Sequence, residues 1–371
     1  MIMPYARTKM KILSPNLSFN IISAACARPK GPAITNLDIF KHFPRTAKRS
    51  IEFQNNMAEM IGKELGFNQR YWVHKPWQPL DNATENSETL AKDALTKLFS
   101  STSDEVIDAF VLGSTTNTRY SGSQATSVLG AFKICAPAYD FKAGCSTSLA
   151  SFSLAYGLMG LGYKRVLVCC AETMSKIIDR DNEKTWLGVA DGAGALLFER
   201  ADDGDFCIEK SIFSTDGRYV DAYTTKGQLP PTEQILSTDG YFLQGDETLL
   251  KTLALEKYTA MLDALFETVD KEEICWIIPH QVNRKLIHDL IQHYGLGHCK
   301  LLWDADKIGN IGGASIAYTL ARSFNDNIFE NKGKILMMSV GGGLTYATQL
   351  LSFNKDRSRN NLLFQVITTD G

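Results

Sequence analysis

Three side chains in this sequence have the chemistry to carry an acyl group on sulfur and then use it in carbon–carbon bond formation. They are the thiol of Cys145, the imidazole of His280 and the carboxamide of Asn310. Each stands in a Gly- or Pro-marked turn. Cys145 lies in Gly144-Cys145-Ser146, after the strand-like run 139–143 and at the start of an apolar helical stretch. A thiol at a helix N-terminus lies near the positive end of the macrodipole, so a thiolate is expected there. His280 follows Ile277-Ile278-Pro279, where a strand ends and sites tend to form. Asn310 lies in Ile308-Gly309-Asn310-Ile311-Gly312-Gly313 and offers a neutral donor to an oxygen that becomes negative. Taken singly, each has a plain structural reading: a buried Cys, a satisfied His, and a turn Asn tolerant of left-handed backbone. Their chemistry comes from the combination.

Alternating strands and helices must position these groups. Apolar runs predict strands over 19–25, 106–112, 165–170, 194–199, 275–278, 334–340 and 346–352. Periodicity predicts helices over 84–99, 249–266 and from 314 onward. The stretch 149–161 has almost no polar face and should be buried on all sides. Each half of the chain closes with a strand, a Gly-rich turn and another strand, over 189–198 and 339–353, which suggests an internal duplication. The expected halves are 1–205, carrying the Cys, and 206–371, carrying the His and Asn. Segment 216–248, with Pro230-Pro231, reads as a polar excursion, and the end of the chain, at 364–368, as a short added strand.

Composition narrows the function class. With 371 residues, 44% hydrophobic and 22% charged, the chain is an ordinary globular protein of two fused units or one large domain. A formal net charge of −2 with scattered Lys and Arg argues against nucleic-acid binding. The eight Cys form no C-x-x-C pair, so reduced, buried thiols in a cytoplasmic protein are expected, with no disulfide frame and no metal site. His42, His74, His288, His293 and His298 are expected at the surface. Residues 149–170 contain Lys164 and Arg165 and so do not read as a membrane span; no signal peptide is visible. The sequon at Asn82 is incidental in such a chain.

The motifs resemble the thiolase-like condensing enzymes, most closely the β-ketoacyl-acyl-carrier-protein synthase III group. The matching blocks are Ile34-Thr35-Asn36-Leu37-Asp38, Gly66-Phe67-Asn68-Gln69-Arg70, Gly144-Cys145-Ser146, Asp191-Gly192-Ala193-Gly194-Ala195, Pro279-His280-Gln281, Gly309-Asn310 with Ala314-Ser315-Ile316, and Gly341-Gly342-Gly343. The resemblance implies an α/β thiolase-like fold, two duplicated α-β-α-β-α halves forming five layers. It implies an acyltransferase in which Cys145 takes an acyl group from a thioester. His280 and Asn310 then hold the oxygen of a malonyl- or β-ketoacyl-type thioester as carbon dioxide leaves. The N–H groups of Cys145 and Gly342 would form the oxyanion hole, and Arg70, Gln281, Gly341 and Gly343 would contact substrate. It implies no cofactor, acyl carrier protein or acyl-coenzyme A as thioester source, and a homodimer. Two alternatives are acyl transfer to oxygen or nitrogen without decarboxylation, and a silent subunit of a heterodimeric synthase.

The chain departs from the family at the coenzyme A clamp. Where the group has a Trp and an Arg, this sequence has Met60 and Glu64. An anion beside nucleotide phosphates is unfavourable. A carrier-bound donor or a different seat for coenzyme A is expected, as is a role in secondary metabolism, for example in alkyl-diketone, resorcinol or quinolone precursors. Thr147-Ser148 after the nucleophile alters the floor of the acyl pocket, and 114–120 falls where the family's dimer partner contributes a pocket residue.

Overall fold

The chain was analysed as a computed structural model, which describes residues 10–79, 85–100, 106–179, 182–227, 229–330 and 332–355. The Asn82 sequon and the strand expected at 364–368 lie outside the described residues.

Ten strands form one mixed sheet system. They are β1 (Leu17–Ala27), β2 (Ala109–Gly113), β3 (Ala138–Phe141), β4 (Arg165–Thr173), β5 (Asp191–Arg200), β6 (Phe206–Thr215), β7 (Ile274–Pro279), β8 (Lys300–Leu301), β9 (Lys332–Gly341) and β10 (Thr345–Asn354). Their order is β8-β7-β9-β10-β6-β1-β5-β4-β2-β3. Read outward from the middle, both sides follow one scheme. On one side β1 runs antiparallel to β5 and β5 to β4, then β4, β2 and β3 are parallel. On the other, β6 is antiparallel to β10 and β10 to β9, then β9, β7 and β8 are parallel. The two sides join where β1 meets β6 over Leu17–Phe19.

Helices complete the layers. The ones that matter for the layers are α1 (Asn36–His42), α2 (Ile51–Leu65), α3 (Ser87–Ser100), α4 (Thr147–Gly160), α5 (Glu247–Phe266), α6 (Arg284–His293) and α7 (Ser315–Asn325), with four other short helices among the described residues. In the middle, α4 and α7 pack with strand residues from both sides, including Phe19, Val168, Ile278 and Met337. The α3 helix covers one outer face with Leu90, Ala91, Ala94, Leu95 and Leu98, and α5 and α6 cover the other. The result is a five-layer α/β/α/β/α sandwich, as expected. The α4 helix reads apolar all round because it is the inner layer: Leu149, Phe152, Ala155 and Met159 are fully buried.

Among the described residues no helix is long and apolar enough to cross a membrane. Two surface expectations fail. His74 is buried, held where its backbone N–H donates to Ser175. Cys135 is exposed, beside the edge strand β3, and Cys26, Cys207, Cys275 and Cys299 are only partly covered.

Candidate active site

Cys145 sits in a single 3-10 turn, Gly144–Ser146, that leads into α4. Gly144 has φ +53, and a Cβ there would meet the Gly342 carbonyl oxygen at 2.6 Å, so only glycine passes the chain through this point. The turn is pinned from three directions. Thr147 Oγ1 donates to the Gly144 carbonyl at 2.6 Å and Thr345 Oγ1 to the Ala143 carbonyl at 2.7 Å. Ser339 Oγ donates to Ser146 Oγ at 2.9 Å. The sulfur lies against the end of β9: a Cβ on Gly341 would come within 2.8 Å of it. The backbone N–H groups of Gly342 and of Cys145 itself lie close enough to the sulfur to favour its charged form.

The thiolate expected from the helix macrodipole is not what the surroundings favour. Burial pushes the Cys145 thiol up to about 11, the Glu172 carboxylate adds to this, and the two N–H groups offset only part. Cys145 remains partly accessible. Glu172 is fully buried on β4 and accepts from the Thr115 N–H at 2.9 Å, from Thr115 Oγ1 and from Thr116 Oγ1 at 2.7 Å. Sequence reading missed Glu172, because a lone Glu at a strand end carries no pattern.

His280 follows β7, which runs beside β9, and its N–H donates to the Met338 carbonyl at 2.8 Å. Its Nδ1 is 3.0 Å from Ser315 Oγ, and its ring is buried. Nε2 has no protein partner among the described residues. Burial lowers the imidazole to about 4, so it is neutral at physiological pH. Ser315 Oγ donates to the Gly312 carbonyl at 2.9 Å, and the Ser315 N–H donates to the same oxygen.

Asn310 is held by both ends of its polar reach. Its carbonyl oxygen accepts the Ala190 N–H at 2.7 Å, and its Oδ1 accepts the Gly312 N–H at 3.0 Å. That bond orients the carboxamide and leaves Nδ2 without a protein partner among the described residues. Gly309, at φ +78, lets the chain turn between Ala190 and Arg70. The Asn310 turn then meets the nucleophile turn: Ser148 Oγ donates to the Gly313 carbonyl at 2.5 Å, and a Cβ on Gly313 would lie 2.7 Å from the Gly144 carbonyl oxygen. The three turns carrying Cys145, His280 and Asn310 are thus linked through Gly341, Ser315 and Gly313.

Arg70 and Gln281, expected to touch substrate, are engaged with the protein instead. Arg70 is fully buried and donates to Asn36 Oδ1 at 2.7 Å and to the Leu187 carbonyl at 3.2 Å. Gln281 donates to Thr319 Oγ1 at 2.7 Å, while its Oε1 accepts the N–H groups of Asp304 and Ala305, each at 2.8 Å. Gly341 makes room for the sulfur, and Gly343 has φ +112, turning the chain from β9 into β10.

Segment 216–248, which read as an excursion, closes one side of the site. Tyr223–Thr225 pairs with Leu243–Gly245, and the Tyr223 carbonyl abuts Gly342, where a Cβ would collide with it. Beyond that pair lies a cavity of about 760 Å³ lined by Asn182, Asp221, Lys226, Gln244, Asp246 and Glu247 among others. Gly245, which lines the cavity, packs on Tyr223, whose carbonyl abuts Gly342.

A five-layer duplicated sheet with a Cys, a His and an Asn on linked turns defines the thiolase-like condensing enzymes. Two family profiles match: 3-oxoacyl-acyl-carrier-protein synthase III over residues 139–217, and its C-terminal region over 266–353. A β-ketoacyl-acyl-carrier-protein synthase III of a Ruegeria species is 30% identical over 325 residues, which are 84% of this chain and 96% of that protein. The chain belongs to the β-ketoacyl-acyl-carrier-protein synthase III family. In fold it is similar to the crystal structure of the Aquifex aeolicus 3-oxoacyl-acyl-carrier-protein synthase III, with TM-score 0.75, 24% identity and coverage of 90% of this chain and 100% of that one. A priming β-ketosynthase of a polyketide pathway superposes with TM-score 0.76 at 20% identity, over 95% of this chain and 99% of that one. Family membership makes the protein an acyl-thioester condensing enzyme.

Proposed function

We propose that the enzyme acylates Cys145 and then condenses the acyl group with a malonyl- or β-ketoacyl-type thioester as carbon dioxide leaves. The observation that carries this reading is the packing of Cys145 against the Gly341–Gly342 turn, which sets the N–H groups of Cys145 and Gly342 beside the sulfur. An acyl carbonyl on Cys145 would place its oxygen within reach of both, where a developing negative charge is stabilised by ~3 kcal/mol per donor. The thiol holds its proton at rest, so its proton passes to the departing thiolate as the new thioester forms.

His280 and Asn310 serve the second half. Ser315 Oγ donates to the Gly312 carbonyl at rest; in this reading the hydroxyl turns to Nδ1 when substrate is bound, which leaves Nε2–H as a donor. Together with the free Nδ2–H of Asn310 it stabilises the enolate oxygen produced on decarboxylation. Neither group is a base at neutral pH, which suits an enolate made by losing carbon dioxide. The enolate carbon attacks the acyl carbonyl, and the Cys145 thiolate leaves and is reprotonated.

Arg70 and Gln281 are scaffold in this scheme, locking the Asn310 turn and the His280 loop. The matched strand patterns support dividing the chain at 1–205 and 206–371, with β6 opening the second half. An acyl carrier protein is the proposed partner, with the glycine turn 341–343 lining the reacting end of its thioester.

The experiment is intact-mass analysis after incubation with a panel of acyl thioesters, followed by a labelled malonyl thioester with trapping of carbon dioxide. A mass increment on Cys145 and evolved carbon dioxide are expected. Acyl loading followed by transfer to an alcohol or amine, with no carbon dioxide, would replace this reading with acyl transfer alone.

A further inference from the structure

Glu172 is a fully buried carboxylate beside the reacting groups, and the condensation steps leave it without a task. Its partners are hydroxyl and amide donors on the 115–116 loop. Thr116 Oγ1 accepts the Thr173 N–H at 2.8 Å, so its own proton is committed to Glu172. The Thr115 N–H can only donate. Burial raises this carboxyl, and the threonine donors oppose the rise. The cation that acts on it most is Lys142, with which it forms no ion pair among the described residues.

The other side of the carboxylate meets two of the site's turns. A Cβ on Gly313 would lie 3.0 Å from Glu172 Oε1, and one on Gly312 3.6 Å from its Cγ. The same point on Gly313 is 2.8 Å from Cβ of Thr147, the first residue of α4. Glu172 therefore stands where the turns leading into α4 and α7 come together. Both helices direct the positive ends of their dipoles there, which draws a nearby thiol toward its thiolate. An anion at this junction opposes that pull. Glu172 is the largest charge acting on the Cys145 sulfur. The other titratable groups around the sulfur are uncharged: burial raises the phenols of Tyr223 and Tyr258 and lowers the imidazole of His280.

The charge matters most after the new bond is made. Condensation leaves a free Cys145 sulfur beside a β-ketoacyl thioester. As a thiolate it can attack the keto carbon. A sulfur–carbon bond then forms, the bond from the keto carbon to the α carbon breaks, and the electron pair leaves as a thioester enolate. The enolate takes up one proton in place of the one the thiol gave up. For a malonyl-derived product the outcome is acyl-Cys145 and an acetyl thioester, with no co-reactant. A protonated sulfur is a far weaker nucleophile and does not start this reversal.

We propose that Glu172 is a positioning residue that protects the product: it ties the 114–116 loop to the junction of the two turns and keeps the freed Cys145 sulfur protonated, so that the enzyme does not cleave the carbon–carbon bond it has made. The inference rests on the condensation reading and gives that reaction its direction.

The test supplies a 3-oxoacyl N-acetylcysteamine thioester to wild type, Glu172→Gln and Glu172→Asp. Intact mass follows acyl-Cys145, and chromatography follows the acetyl thioester released. A tenfold rise in thiolate, less the nucleophilicity lost with basicity, amounts to about threefold in rate, so Glu172→Gln should cleave the 3-oxoacyl thioester about threefold faster than wild type at pH 7. Glu172→Asp keeps the charge and should stay near wild type. The limiting rate of iodoacetamide alkylation at high pH should be equal in all three, which reports an intact site. Cleavage by Glu172→Gln no faster than by wild type, at an equal alkylation limit, would overturn the proposal. So would loss of alkylation and cleavage alike in both variants, which would make Glu172 a brace without an electrostatic role. A wild type that cleaves the 3-oxoacyl thioester as fast as it loads a simple acyl thioester would overturn it too. A wild type that releases no carbon dioxide from a malonyl thioester instead sinks the condensation reading, a result separate from the cleavage assay.

Discussion

In the proposed mechanism Cys145 is a nucleophile that stays protonated until substrate arrives. With the thiol at about 11, iodoacetamide labelling of the free enzyme should be slow at pH 7 and climb through pH 10, in contrast to a thiolate that reacts at neutral pH. Substituting Glu172→Gln removes a neighbouring negative charge, so the labelling profile should move to lower pH; an unmoved profile would show that Glu172 does not act on the sulfur. His280 has the opposite displacement. Its folded-state value of about 4 lies below the ordinary 6.5, so the folded protein binds this proton less readily than the unfolded chain. The stability it lends is fully present above about pH 6.5 and is lost as pH falls toward 4, a span worth about 3 kcal/mol. Thermal melts of wild type and His280→Gln across pH 7 to 4 should converge as pH falls; parallel curves would refute a buried neutral imidazole. The three residues proposed to react could be singled out in the sequence because each stood in a turn marked by Gly or Pro, and the structure brings their turns together. The protonation of the thiol was not, since burial and Glu172 come from strands and loops remote in sequence.

At the level of single elements, the glycines set what the turns can do. Gly309 combines φ +78 with contact on both sides, from Ala190 and Arg70. Gly309→Ala is expected to cost about 1–3 kcal/mol, read as a lower Tm, and to reduce condensation more than acyl loading, because it displaces Asn310 and leaves Cys145 in place. Equal losses in the two steps would mean that the two turns move as one. Strands with apolar runs and the wholly apolar α4 were legible from pattern. The α2 helix was not: its first turn exposes Ile51 and Phe53, so its apolar residues do not trace one buried face. Strand β6 was also missed, although it lies in the middle of the sheet, because Glu209, Lys210 and Ser211 interrupt it. Arg70 and Gln281 were placed at the site by motif, and their hydrogen bonds to Asn36, Leu187, Thr319, Asp304 and Ala305 carried no signal in the sequence.

On the scale of the molecule, β3 ends the strand order with one edge unpaired among the described residues, and Tyr139 and Asp140 on it are exposed. Nearby Tyr120 is 75% exposed at the end of the 114–120 loop. An open edge is a template for pairing with another chain. A homodimer formed edge to edge is expected, and sedimentation of a Tyr139→Pro variant should show its dissociation; a wild type that sediments as a monomer at micromolar concentration would exclude it. The doubling of the strand scheme was suggested by the repeated strand–glycine–strand endings, but its register needed the pairing of β1 with β6. That doubling bears on how the chain can be divided. The two sets of five strands share their inner helices, and Asp202 and Asp203 stand exposed in the short link before β6. Fragments cut at that link would each leave a greasy helix uncovered. They should be insoluble when made separately and should reassemble into a working enzyme when made in the same cell.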